Sequence, residues 1–153
     1  MNDKRFKTVE FNNKKKQIRC VYTSGRIIIL HYKQLRIHKP IRKAWIDKET
    51  KGQSIGFDFL DGTTDYMPYD QPLAIMGDPD FLLQNQIELL IAKIKRMIHE
   101  KKISKRYLAN QLQTSDNQIQ RLLNPAILNK NLPQLYHLAR LLGLDMEIRL
   151  KAA

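Results

Sequence analysis

The 153-residue sequence contains one cysteine, Cys20. An intramolecular disulfide and a cysteine-cluster metal site are therefore excluded, and the expected setting is a reducing cytoplasm. Long apolar runs are also missing. RIIIL at residues 26–30 is too short, and FLLQNQIELLIAKI at 81–94 is too interrupted, for the roughly 20 apolar residues that span a bilayer. The opening MNDKRFKTVEFNNKKKQ has no apolar stretch behind its charges and does not read as a secretory signal. With only six glycines, the chain has no phosphate-cradling Gly-rich loop and no flexible Gly/Ser linker. Internal repeats and low-complexity tracts are absent.

Catalytic frames are scarce as well. His31, His38, His99 and His137 lack metal-ligand spacing, and Ser24 beside Gly25 lacks a nucleophile elbow. Asp58, Asp61, Asp65, Asp70, Asp78 and Asp80 cluster along the chain, and Glu49-Thr50-Lys51 forms an E-x-K. A metal-dependent nucleic-acid-processing enzyme would need such groups to converge, but this E-x-K sits in a polar, turn-like stretch. The expectation is a protein that is not an enzyme, with no metal and no cofactor.

Positive charge is abundant: +12 at pH 7. Residues 1–51 carry 15 Lys+Arg against 4 Asp+Glu, residues 52–100 carry 3 against 8, and residues 101–153 carry 9 against 3. A chain this basic points to nucleic acid, an acidic partner or an anionic membrane surface, and two basic regions flanking an acidic one are a hint of a nucleic-acid surface. In the first region Lys14, Lys15, Lys16, Arg19, Arg26, Lys33, Arg36, Lys39, Arg42 and Lys43 interleave with Tyr22, Tyr32 and Trp45. Such a surface could hold a nucleic-acid backbone and stack bases, grip an acidic protein, or be a solvated sheet face.

Residues 1–80 read as mostly extended. QIRCVYTSGRIIILHYKQLRI gives two β-rich runs around a turn at Thr23-Ser24-Gly25. IRKAWID and SIGFDFLDGTTDYMPYD add strands, with Asp61-Gly62 as a type I′ turn signal. QPLAIMGDPD, with Pro72, Gly77 and Pro79, is expected to break regular structure. From residue 81 the period becomes helical. Asp80, Ser104, Ser115 and Asn131 are candidate N-caps, Ser115 and Gln118 have capping-box spacing, and Gly143 ends the last helix. In DMEIRL, Met146, Ile148 and Leu150 alternate with charges, which predicts a short terminal strand.

The stretch LANQLQTSDNQIQRLLN, residues 108–124, sets apolar Leu108, Ala109, Leu112, Ile119 and Leu122 in two helical patterns joined by a polar hinge. Its ordered spacing resembles the Cro/repressor-type (XRE family) helix-turn-helix, and NLPQLYHLARLLGLDMEIRL resembles the end of HigA-like antitoxins in that family. The resemblance covers roughly residues 84–151. Gln113 stands where that family usually has Gly, and Leu123 and Pro125 replace its frequent Glu and Gly. The resemblance implies that Asp116, Asn117, Gln118 and Arg121 face base edges in the major groove, while Lys105, Arg106 and Lys130 meet phosphates. The side-chain chemistry agrees, since Asn and Gln pair with adenine, Arg with guanine and Asp with cytosine.

The resulting expectation is an α+β chain. An N-terminal antiparallel β-rich region (1–80) would bind a cognate toxin, an acidic protein or an effector. An all-α helix-turn-helix domain (81–153) of four to five helices with a short C-terminal strand would bind a double-stranded DNA operator as a homodimer. The function expected is sequence-specific transcriptional regulation, as an autorepressing antitoxin, in the cytoplasm and at the nucleoid. The alternatives are a protein-interaction module with a non-reading helix-turn-helix, or the nucleic-acid-processing enzyme above.

Overall fold

The computed structural model describes residues 3–152. The chain divides into two compact units, Met1–Phe81 and Leu82–Ala153.

The first unit holds two three-stranded antiparallel sheets. One is β1 (Phe6–Asn12), β2 (Gln17–Tyr22) and β3 (Ile27–His31); the other is β4 (Ile41–Ile46), β5 (Ser54–Phe59) and β6 (Thr64–Pro68). Alternation explains which residues turn inward. Ile18, Cys20 and Tyr22 of β2, Ile28 and Leu30 of β3, and Ile55, Phe57 and Phe59 of β5 all enter one shared core. Burial also keeps the Cys20 thiol protonated, pushing its pKa up to about 12. β1 carries a bulge between Phe6 and Thr8, and β4 one between Ile41 and Lys43.

The β2–β3 and β5–β6 hairpins turn alike. Gly25 N–H donates to Tyr22 O and Gly62 N–H to Phe59 O, with φ of +92° and +85°. Asp61 has no positive φ, so the Asp61-Gly62 turn is a three-residue loop closed by a left-handed glycine and not the expected type I′. A side chain then joins the sheets. Asn13, in the β1–β2 turn, donates Nδ2–H to Ile41 O at 2.8 Å and accepts Ile41 N–H at 2.9 Å on Oδ1, which also takes the Tyr32 hydroxyl at 2.7 Å.

Two further expectations about this unit need correction. The strand does not continue past His31: Tyr32–Leu35 is a 3-10 turn capped by His31. QPLAIMGDPD breaks regular structure only at residues 76–78, where Gly77 has φ +63°; before the break, α1 spans Asp70–Ile75. Pro72 lies in the first turn of α1, where its missing N–H removes no intrahelical bond.

A buried polar knot closes the unit. Arg26 Nη1 lies 3.3 Å from Asp3 Oδ2, Arg26 Nη2 pairs with Asp78, and the Ser24 hydroxyl donates to Asp3. Asp3 is 6% exposed and Asp78 8%, so both carboxylates depend on this guanidinium. The Arg26 hydrogen bond holds Asp78 below the usual carboxylate range, against the effect of burial. Asp78 also accepts Phe81 N–H at 2.9 Å. It is therefore the cap of α2 (Pro79–Glu100), with Pro79 at the first helical position, and Asp80 merely sits in the first turn.

The second unit contains α2 from Leu82 onward, α3 (Lys105–Gln111), α4 (Asp116–Leu122) and α5 (Leu132–Leu141). Ile87, Ile91 and Ile94 of α2 pack with Leu108, Ala109, Ile119, Leu122, Leu135, Leu138 and Leu142. Ser104, Ser115 and Asn131 cap α3, α4 and α5 as expected, each accepting the N–H three residues on. α2, α3 and α5 end in one motif: the first residue beyond the cap is left-handed, and the next donates back into the helix. Those residues are Lys102 (φ +53°), Gln113 (+51°) and Gly143 (+74°). Ile103 N–H reaches Ile98 O at 3.1 Å, Thr114 N–H reaches Ala109 O at 2.9 Å, and Leu144 N–H reaches Ala139 O at 2.8 Å.

The expected all-α helix-turn-helix domain with a terminal strand is not borne out: residues 144–150 form no strand. Ile148 is 61% exposed and Leu150 97%. An alternating pattern becomes a strand only when a neighbouring strand takes its backbone groups. Among the described residues this unit has none to offer.

Candidate nucleic-acid interface

α3 and α4 are short, and the turn between them is tight because Gln113 accepts the left-handed conformation. Ala109 is buried in the same cluster as Ile119 and Leu122, and its small side chain lets the two helices approach. Burying Ile119 and Leu122 contributes about 1.5–3 kcal/mol each, which fixes the face that α4 turns outward.

That outward face carries Asp116, Asn117, Gln120 and Arg121, all exposed. At 3.6 residues per turn they cover an arc of about 140°. Among the described residues none of these four side chains has a hydrogen bond or ion pair within the chain. Lys105 and Arg106, at the start of α3, are likewise exposed and unpaired.

Two of the predicted contact residues stand differently. Gln118 is only half-exposed, and its amide donates to Gln134 Oε1 of α5 at 2.8 Å. Its side chain does not return to Ser115, so only the Ser115 half of the capping box forms, with Gln118 N–H at 3.1 Å from Ser115 Oγ. Lys130 is drawn inward: its ammonium donates to Arg121 O at 3.0 Å and Asn124 O at 2.6 Å. It thus takes the Arg121 carbonyl in the last turn of α4 and the Asn124 carbonyl just beyond its C-cap; α4 is the helix of this unit that ends without a left-handed residue. Burial, followed by repulsion from Lys95 and Arg121, lowers its pKa. Gln120, expected to be peripheral, lies mid-face, where helical phase puts it between Asp116 and Asn117.

The other candidate chemistry disperses. Asp58 bonds Thr64, Asp61 bonds Lys39 and Thr63, and Asp78 bonds Arg26. The Lys39 hydrogen bond, then those from Thr63, hold Asp61 below the usual carboxylate range. Glu49 and Lys51 sit on the β4–β5 turn. No group of three His, Cys, Asp or Glu residues that could hold a metal occurs among the described residues. Of the aromatics interleaved with the basic arm, Tyr22 and Tyr32 are core residues, 0% and 4% exposed. Trp45 stays at the surface, over Gly56 and edge-on to Tyr66 at 6.1 Å. No described helix is long and apolar enough to cross a membrane.

No protein-family model matches this chain, and no curated protein or solved structure shows significant similarity to it.

Proposed function

We propose that this chain is a sequence-specific DNA-binding transcriptional regulator that reads base edges with α4. The observation that carries the reading is the outward face of α4. Asp116, Asn117, Gln120 and Arg121 are exposed hydrogen-bonding groups without partners among the described residues, on a helix whose opposite face is locked into a core. Asn117 suits adenine and Arg121 guanine. Lys105 and Arg106 are free to bind phosphates and set the register. Lys130 supports α4 from behind, and Gln118 braces it against α5; their parts in DNA contact are correspondingly reduced.

The resemblance to Cro/repressor-type regulators and HigA-like antitoxins extends the proposal. The chain would act as a homodimer on a two-fold operator, and the N-terminal unit would engage a toxin or other acidic protein. A second reading, a protein-interaction module, is favoured by the engagement of Gln118 and Lys130 inside the fold.

The test is a gel shift of the full chain on its own upstream DNA across a salt series, with Asn117→Ala and Arg121→Ala. Specific binding should fall with rising salt. Each variant should lose about 1–3 kcal/mol of discrimination, roughly 5- to 150-fold. Unchanged binding by both variants would remove α4 as the reading element, and no specific binding at low salt would favour the interaction module.

A further inference from the structure

A cleft of about 450 Å³ opens in the first unit where the β1–β2 turn meets the segment after β3. Five basic residues line it, Lys16, His31, Lys33, His38 and Lys39, together with Tyr32, whose hydroxyl is taken up by Asn13. No carboxylate among the described residues lines it. The acid that reaches one of these groups, Asp61, lies 2.7 Å from Lys39 Nζ and partly neutralises it. Among the described residues, Lys16 and Lys33 have no ion pair. His31 Nδ1 accepts Lys33 N–H at 3.2 Å, which places the neutral-ring proton on Nε2 as a donor. Ile37 and Pro40 add apolar wall, and the buried Tyr32 ring adds more. The arrangement is therefore an apolar recess with three lysine ammoniums, Lys16, Lys33 and Lys39, and two imidazoles around it. Like charges gathered without acids repel until an anion joins them, and the volume falls within the roughly 300–1,000 Å³ typical of small-molecule sites.

We propose that this cleft binds a small phosphorylated ligand of nucleotide size, its phosphates on Lys16, Lys33 and His31 and its body against Ile37 and Pro40. A recessed cleft suits a ligand that enters it better than a duplex, which meets protruding surface. The site lies entirely within the first unit, so it stands or falls independently of DNA reading by α4.

The experiment is amide NMR and calorimetry on the full chain with three probes: pyrophosphate, ADP and uncharged adenosine. ADP and pyrophosphate should give saturable shifts concentrated in residues 31–40, and adenosine should not. Lys33→Glu and Lys16→Glu should each weaken ADP binding by at least about tenfold, the equivalent of one charge-assisted hydrogen bond. Lys48→Glu, an equal charge change on the exposed β4–β5 turn, should leave binding unchanged. Lys33→Gln removes the charge without adding another, and far-UV circular dichroism checks each variant's fold. The proposal is overturned if no phosphorylated probe gives saturable shifts there, if adenosine binds as well as ADP, or if Lys48→Glu weakens binding as much as Lys33→Glu.

Discussion

Gln113→Gly should stabilise the chain, and the size of the gain follows from its backbone. Gln113 holds φ at +51°, where a Cβ crowds the following carbonyl at roughly 1–2 kcal/mol. Glycine removes that strain but adds freedom to the unfolded chain, which returns roughly 0.5–1 kcal/mol. The net gain should be close to ~1 kcal/mol. The side chain itself is exposed and makes no hydrogen bond among the described residues, so little else is lost. Lys102→Gly relieves the same conformation at φ +53° and should add independently, since the two sites share no partner. Gly143→Ala is the converse: its added Cβ would meet nothing closer than Lys101 Nζ at 3.5 Å, so strain at φ +74° is the main cost. For a unit of this size, ~1 kcal/mol corresponds to a melting shift of about 4–8 °C. Thermal and denaturant unfolding of the full chain, followed by helix ellipticity, measures all three. If Gln113→Gly lowers stability while Gly143→Ala is neutral, the strain argument is wrong.

Four further outcomes follow from the first unit. Arg26→Met would strand the buried carboxylates of Asp3 and Asp78 and should cost about 3 kcal/mol, read as a fall in the denaturant midpoint. Because Asp78 titrates below its unfolded value, its contribution is full above the ordinary carboxylate pKa. It should disappear as pH falls below about 4, and Asp78→Asn should flatten the acid limb of a stability–pH profile. Gly56→Ala would place a Cβ 2.3 Å from the Trp45 ring; the displaced indole should change the tryptophan emission maximum and cost about 1–3 kcal/mol. Cys20, fully buried with its thiol pushed up to about 12, should react with a thiol reagent at pH 8 only as fast as the chain opens; rapid labelling of the native protein would contradict that burial.

What could be read from the sequence was mostly local chemistry. Ser104, Ser115 and Asn131 cap the helices they precede because an N-cap needs only its own side chain and an N–H three residues on. Pro79 at a helix start implies a cap at Asp78 rather than Asp80, because proline favours the first helical position. β1 was covered only by a general reading of extended chain, because its bulge breaks the two-residue period between Phe6 and Thr8. Tyr22 looked like part of a binding surface until strand pairing put it on the same face as Ile18 and Cys20. The terminal strand failed for the opposite reason: DMEIRL has the right period, but strand formation is decided by a neighbour elsewhere in the chain. The engagement of Gln118 and Lys130 was equally invisible, because their partners are set by how α4, α5 and the intervening loop pack.

Asn13 has a further consequence. A side-chain amide carries the same donor and acceptor as a peptide group, so this residue works as a spare rung between two ladders. The wall around the first core is thus continuous at this corner although the described residues supply no seventh strand there. The Ile41 amide should exchange its hydrogen as slowly as a strand interior would, and that protection belongs to one side chain. Substitution by aspartate at neutral pH would keep the acceptor and delete the donor, breaking the rung on one side only.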